Sequence, residues 1–255
     1  MKTSLLRIPA LLLASLFVVL TGCMKTVILD EDLPDPTYAT RAVGASARDL
    51  LTDSAYSSLL IELNYMTGHA PDSAALRNLE GFLYQHLHKP GGIRIETREI
   101  PAVHDTLSSL TEVAAIEQQY RRRYNHDREL TVYILYTNGV FVKPEMLGYA
   151  YFGTSAVLFG RNLSENSNRA RRPSRTDLET KVLQHELGHL LGLVNVGSPE
   201  QSEHSHEGRG KHCRNKRCLM YYLIDTEASP SFLLRKPLPK LCDACRKDIR
   251  VNGGK

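Results

Sequence analysis

Residues 185–189 read His185-Glu186-Leu187-Gly188-His189. On a helix, side chains four apart share a face, so the two imidazoles can converge on one cation. Glu186 then stands beside them, within reach of a water on that cation rather than of the cation itself. A zinc ion with three protein ligands keeps one position for water and lowers its pKa toward neutrality. A neighbouring carboxylate can take the proton as the water attacks a carbonyl. Two histidines and a glutamate at this spacing suit zinc-dependent hydrolysis of a peptide bond.

The elements that must position this set are readable from periodicity. Thr176-Asp177-Leu178-Glu179 has the form of a capping box and predicts a helix over residues 178–191. Gly192, three residues after His189, is free to take positive φ, end the helix and turn the chain back toward the metal. Upstream, residues 59–66 predict a strand. Pro71-Asp72 opens a helix through Leu76, Leu79, Phe82, Leu83 and Leu87, which Pro90-Gly91-Gly92 stops. Residues 93–100 alternate apolar and charged side chains, as a half-exposed strand does. A second helix is expected over 107–124, ending in Arg121-Arg122-Arg123. A β-branched strand is expected over 130–137, an Asn138-Gly139 turn after it, and one or two strands over 149–159. Residues 161–175 are polar and arginine-rich and predict a solvated surface loop. Strands alternating with helices indicate an α/β sandwich with a mixed sheet.

The formal net charge is +4, but Lys2 and Arg7 fall in a segment expected to be removed, so nucleic acid is not an implied partner. These two cations precede an apolar run over residues 8–20, too short to span a bilayer comfortably, as in a secretory leader over residues 1–22. The run closes in Leu20-Thr21-Gly22-Cys23, which resembles the bacterial lipobox, where the cysteine becomes the acylated first residue. That resemblance implies an exported protein anchored to a membrane through Cys23. Residues 24–41 carry Asp30-Glu31-Asp32, Pro34 and Pro36 and read as an extended tether, so residues 23–50 are expected to precede a domain over 51–255. The remaining cysteines, Cys213, Cys218, Cys242 and Cys245, have the spacing of a tetrahedral thiolate zinc site. In an exported protein they could equally pair as disulfides, Cys213 with Cys218 or Cys242 with Cys245.

His185-Glu186-x-x-His189-x-x-Gly192 resembles the opening of the metzincin pattern of zinc metallopeptidases, whose next histidine would stand at position 195; this chain has Asn195 there. His212-Cys213-x4-Cys218-Leu219-Met220, with Cys242-x2-Cys245 downstream, resembles the archaemetzincin branch, in which the third histidine directly precedes the first of four cysteines. The resemblance implies a metzincin-like sandwich with a cysteine-containing C-terminal subdomain. It makes His185, His189 and His212 the catalytic zinc ligands and Glu186 the general base. Met220 becomes the methionine beneath the metal, and the cysteines a second, structural zinc site. Residues 194–211 are then an insertion, and its His204 and His206 are alternative third ligands. Tyr222 matches a tyrosine that some metzincins use to support the oxyanion. The stretch from Leu147 through Phe159 resembles the edge strand that pairs with substrate backbone. A zinc-bearing surface binding protein without turnover is the alternative to a peptidase. His69, His86, His88, His104 and His126 read as surface or core residues.

Overall fold

The computed structural model describes residues 36–103, 106–107, 109–141, 146–168, 172–222 and 238–255. The expected leader, Cys23, residues 24–35 of the expected tether, and His104 lie outside the described residues. In chain order the elements are α1 (Pro36–Ala39), α2 (Ala47–Leu51), β1 (Ser58–Met66), α3 (Ser73–His86), β2 (Ile93–Ile100), β3 (Thr106–Leu107), α4 (Leu110–Tyr120), β4 (Glu129–Thr137), β5 (Val140–Phe141), β6 (Gly148–Phe152), β7 (Ser155–Phe159), α5 (Gly160–Glu165), α6 (Arg175–Leu190) and α7 (Asp243–Val251).

Five strands form one mixed sheet in the order β2-β1-β4-β7-β6, and β3 pairs with β5 apart from it. β1 runs parallel to β2 and β4, and β4 parallel to β7; β6 is antiparallel to β7 and lies at the edge. Central strands covered on both faces must be apolar nearly throughout, and β4 is buried along almost all its length. Its alternate residues serve opposite faces. Val132, Ile134 and Tyr136 join the core shared with α3 and α6, while Tyr133 and Leu135 join a second core with Val113 and Ile116 of α4. α3 starts where Asp72 accepts from the amides of Ala74 and Ala75.

The structure changes the sequence expectation in four places. The tether is shorter than residues 23–50: from Pro36 the chain belongs to the domain. Tyr38, Leu50 and Leu51 are buried in the main core, and Tyr38 donates to Asp49 at 2.7 Å. The run Asp30-Glu31-Asp32 with Pro34 and Pro36 gives the start of this segment an extended look that does not carry through to Tyr38, Leu50 and Leu51. Residues 161–165 of the expected surface loop belong to the helix α5, with Leu163 buried in the main core; residues 169–171 lie outside the described residues. The second helix is shorter than 107–124. Ser109 caps it, and beyond Tyr120 the amides of Arg122 and Arg123 turn to the buried Glu62 carboxylate at 2.7–3.1 Å. Finally, α6 is capped by Ser174, which accepts from Asp177 at 3.0 Å, and not by Thr176. Glu179, the far member of the expected box, is instead wholly buried and accepts from the Asp72 amide and the Arg175 guanidinium, tying α6 to the start of α3. No helix among the described residues is long and apolar enough to cross a membrane.

Candidate metal centre

α6 packs on the sheet beside the β6 edge and carries His185 and Glu186 buried and His189 half-buried. The chain leaves it through a tight reversal. Gly192 has φ of +75°, and its carbonyl accepts from Val196 at 3.0 Å and Ser198 at 2.9 Å. A Cβ there would meet Ala47 of α2 at 2.9 Å, so the segment expected to be tether buttresses the turn. Asn195, at the position where a metzincin would carry a histidine, sits in the left-handed region at φ of +60°.

After the turn, residues 204–206 and 212–214 run side by side. His206 donates its amide to the His212 carbonyl at 2.8 Å, Arg214 donates to His204 at 2.9 Å, and Ser205 bridges Cys213 antiparallel. Cys213 in turn donates to the Met220 carbonyl at 2.8 Å. This short ladder delivers His212 to the helix. Ring centroids of His185, His189 and His212 lie 4.9, 5.3 and 5.0 Å apart pairwise, and one nitrogen of each lies within 4.8 Å of the others. The Met220 sulfur packs so closely under Gly188 that a Cβ there would collide with it.

Of the three histidines considered for the third position, the structure therefore brings His212 to the pair. His204 points elsewhere, with Nε2 2.7 Å from Asp248 and Nδ1 3.9 Å from Cys245 Sγ. The ring of His206 packs against Tyr222 at 5.0 Å, and the Arg209 guanidinium lies 5.1 Å over the other ring of that pair, Tyr222.

The donor chemistry fits a zinc ion. His185 Nδ1 lies 2.8 Å from the Leu219 carbonyl, which can only accept, so Nδ1 carries the hydrogen and Nε2 keeps its lone pair. Burial lowers His185 to about 4 and His189 well below the ordinary histidine value, and also lowers His212. All three imidazoles are thus neutral at neutral pH, the form able to bind a metal. Glu186 is buried and its Oε2 accepts from the Ala150 amide of β6 at 2.9 Å. Burial raises its pKa to about 8 against that hydrogen bond. In metal-free protein the folded state thus holds a proton on Glu186 that the unfolded chain releases from 4.5 upward. The stabilisation is full below 4.5 and is lost as pH rises to about 8. We expect the melting temperature of the metal-free protein to fall over that window relative to Glu186→Gln, whose neutral amide has nothing to ionise; parallel thermal melts of the two proteins would contradict this.

The four cysteines are free thiols, so neither disulfide weighed from the sequence is present. Their sulfurs cluster within 4.8 Å, with Cys213 to Cys242 at 3.7 Å and Cys218 to Cys245 at 3.6 Å. A disulfide needs about 2.05 Å. Tetrahedral zinc with bonds of about 2.3 Å needs sulfurs about 3.8 Å apart. Backbone amides of Asn215, Met220 and Cys242 also aim at cluster sulfurs at 3.4–3.5 Å, the donors that thiolates require.

Sequence reasoning missed the Leu219 carbonyl, the Ala150 amide and Asp248. The first two are backbone groups that any residue supplies, so residue types carry no signal for them. Asp248 had one: it follows Cys245 by three residues on a helix, hence shares its face.

No protein-family model and no curated protein sequence matches this chain. Among solved structures, archaemetzincin from Methanopyrus kandleri superposes with a TM-score of 0.51 at 18% identity, over 77% of this chain and 96% of that one. The fold is that of archaemetzincin. Metalloproteinase-II from Bacteroides fragilis aligns at a TM-score of 0.45 and 18% identity, over 86% of this chain and 55% of that one. The archaemetzincin-like fold here carries both groups able to hold metal, the three histidines at the end of α6 and the four cysteines around the start of α7.

Proposed function

We propose that the protein is a zinc-dependent peptide hydrolase in which His185, His189 and His212 hold the ion and Glu186 is the general base. The convergence of three neutral imidazoles beside a buried carboxylate carries this reading. A zinc ion held there would bring water to nucleophilic strength near neutral pH and polarise the scissile carbonyl. Glu186 is anchored through Oε2 to Ala150 and takes the proton on Oε1. β6 offers an extended peptide an open antiparallel edge next to that carboxylate, so substrate is recognised through its backbone with loose sequence preference. A cation beside Glu186 draws its pKa back down and keeps it a base at neutral pH. The cysteine cluster holds a second, structural zinc.

The ring of Tyr222 packs between His206 and Arg209, and its hydroxyl is the candidate donor to the developing oxyanion. Tyr222→Phe keeps the ring and loses the hydroxyl, so kcat should fall with KM nearly unchanged; an unchanged kcat removes the role. The protein is exported and tethered to a bacterial membrane by acylated Cys23, a reading supported by Lys2, Arg7, the apolar run and Leu20-Thr21-Gly22-Cys23. Cys23→Ala should move it from the membrane fraction to the soluble exported fraction, and retention at the membrane would contradict the anchor. The whole reading is tested by cleavage of a mixed peptide library with wild type and Glu186→Gln at equal metal content. Absence of cleavage by both proteins would favour a zinc-bearing binding protein.

A further inference from the structure

Within residues 194–211, His204 forms a buried pair with Asp248 of α7 that the hydrolytic reading does not use. His204 is only 5% exposed and Asp248 wholly buried. His204 Nε2 lies 2.7 Å from Asp248 Oδ2, while Asp248 Oδ1 accepts from the Gln201 amide at 2.8 Å, so the carboxylate is held from two sides of the insertion. The opposite ring nitrogen, Nδ1, lies 3.9 Å from Cys245 Sγ. The same residue is also a rung of the ladder: its carbonyl accepts from Arg214 at 2.9 Å, two residues beyond His212, whose own carbonyl accepts from His206. His204 is therefore fixed by its side chain to the sulfur cluster and α7, and by its backbone to the segment that presents the third imidazole.

We infer that His204 is a positioning residue that couples the two metal sites, donating Nδ1–H to the thiolate cluster while its backbone holds His212 in register with α6. This rests on the reading of the four cysteines as a metal site. An ordinary packing histidine would need neither a wholly buried carboxylate on one nitrogen nor a sulfur on the other. Groups outside the ligand set that orient metal ligands typically change metal affinity by about 10–100-fold when lost. Here the effect should appear at both sites although no ligand is altered, because the residue serves both.

The test uses the full exported domain loaded with cobalt(II), whose thiolate charge-transfer absorption reports the sulfur site and whose weaker visible bands report the imidazole site. His204→Ala should retain the thiolate absorption but surrender that metal to a competing chelator at about 10–100-fold lower chelator concentration, and should weaken the imidazole site in parallel. Two conservative replacements separate the contacts. His204→Asn keeps a donor at the position of Nδ1, facing the sulfur, and should restore most of the sulfur-site affinity. His204→Gln reaches only toward Asp248 and should not. Sulfur-site affinity within twofold of wild type in His204→Ala, or equal rescue by Asn and Gln, overturns the donor role. A weakened sulfur site with an unchanged imidazole site overturns the coupling. No thiolate absorption in the wild type would instead refute the metal reading of the cysteines, and this inference with it.

Discussion

Glu186→Gln should lower kcat/KM on peptide substrates by roughly 10²–10⁴-fold, the usual contribution of a positioned general base, or about 3–5 kcal/mol of transition-state stabilisation. Metal content should not change. The glutamine carbonyl can still accept the Ala150 amide at the β6 edge, so the backbone contact and the buried volume are kept. What is lost is a carboxylate oxygen able to take a proton. Residual activity within tenfold of wild type would remove Glu186 from the mechanism and leave some other group as base.

The second large effect is at the sulfur cluster. Cys218 is buried, accepts from the amides of Met220 and Cys242 at 3.4 Å, and lies 3.6 Å from Cys245. The residues after it supply the Leu219 carbonyl that orients His185 and the Met220 sulfur beneath Gly188. Cys218→Ser should remove one metal ion per chain and with it on the order of 5 kcal/mol, a part of the roughly 10–16 kcal/mol that four-ligand zinc sites contribute in small zinc domains. For a chain of this size that is a fall of roughly 10–20 °C in melting temperature. Peptidase activity should decline in parallel, because the orientation of His185 depends on the same turn, through the Leu219 carbonyl. A melting temperature within 2–4 °C of wild type, equivalent to about 1 kcal/mol, would show that the cluster carries no structural metal.

The sequence disclosed most where a local rule was uncontested. The apolar runs of β1 and β4 and the spacing of His185 and His189 all appear in the structure at the expected positions. Local rules failed where a distant partner took over a group. Glu179 had the spacing of a capping residue, but the Asp72 amide and Arg175 claim its carboxylate, and Ser174 does the capping. His204 stood as the alternative to His212 for the third ligand because both sit in the same polar stretch. Only the fold places Asp248, 44 residues later, against it. The buried apolar residues of the segment 36–51 were obscured for a related reason: five side chains, Tyr38, Ala39, Ala47, Leu50 and Leu51, are too few to outweigh their polar neighbours in a composition reading, yet they suffice to dock it. The grouping of His212 with the α6 histidines was legible only through the archaemetzincin-like order of histidine and cysteines, because spacing alone does not carry across an insertion over residues 194–211.

X-ray absorption at the zinc edge, with a metal count on wild type and His189→Ala, tests the central claim most directly. The wild type should hold two zinc ions per chain, one in a nitrogen and oxygen environment and one in sulfur, and His189→Ala should lose the nitrogen-bound ion alone. A wild type without nitrogen-coordinated zinc, or a variant that keeps it, would contradict the assignment of His185, His189 and His212 as the hydrolytic centre.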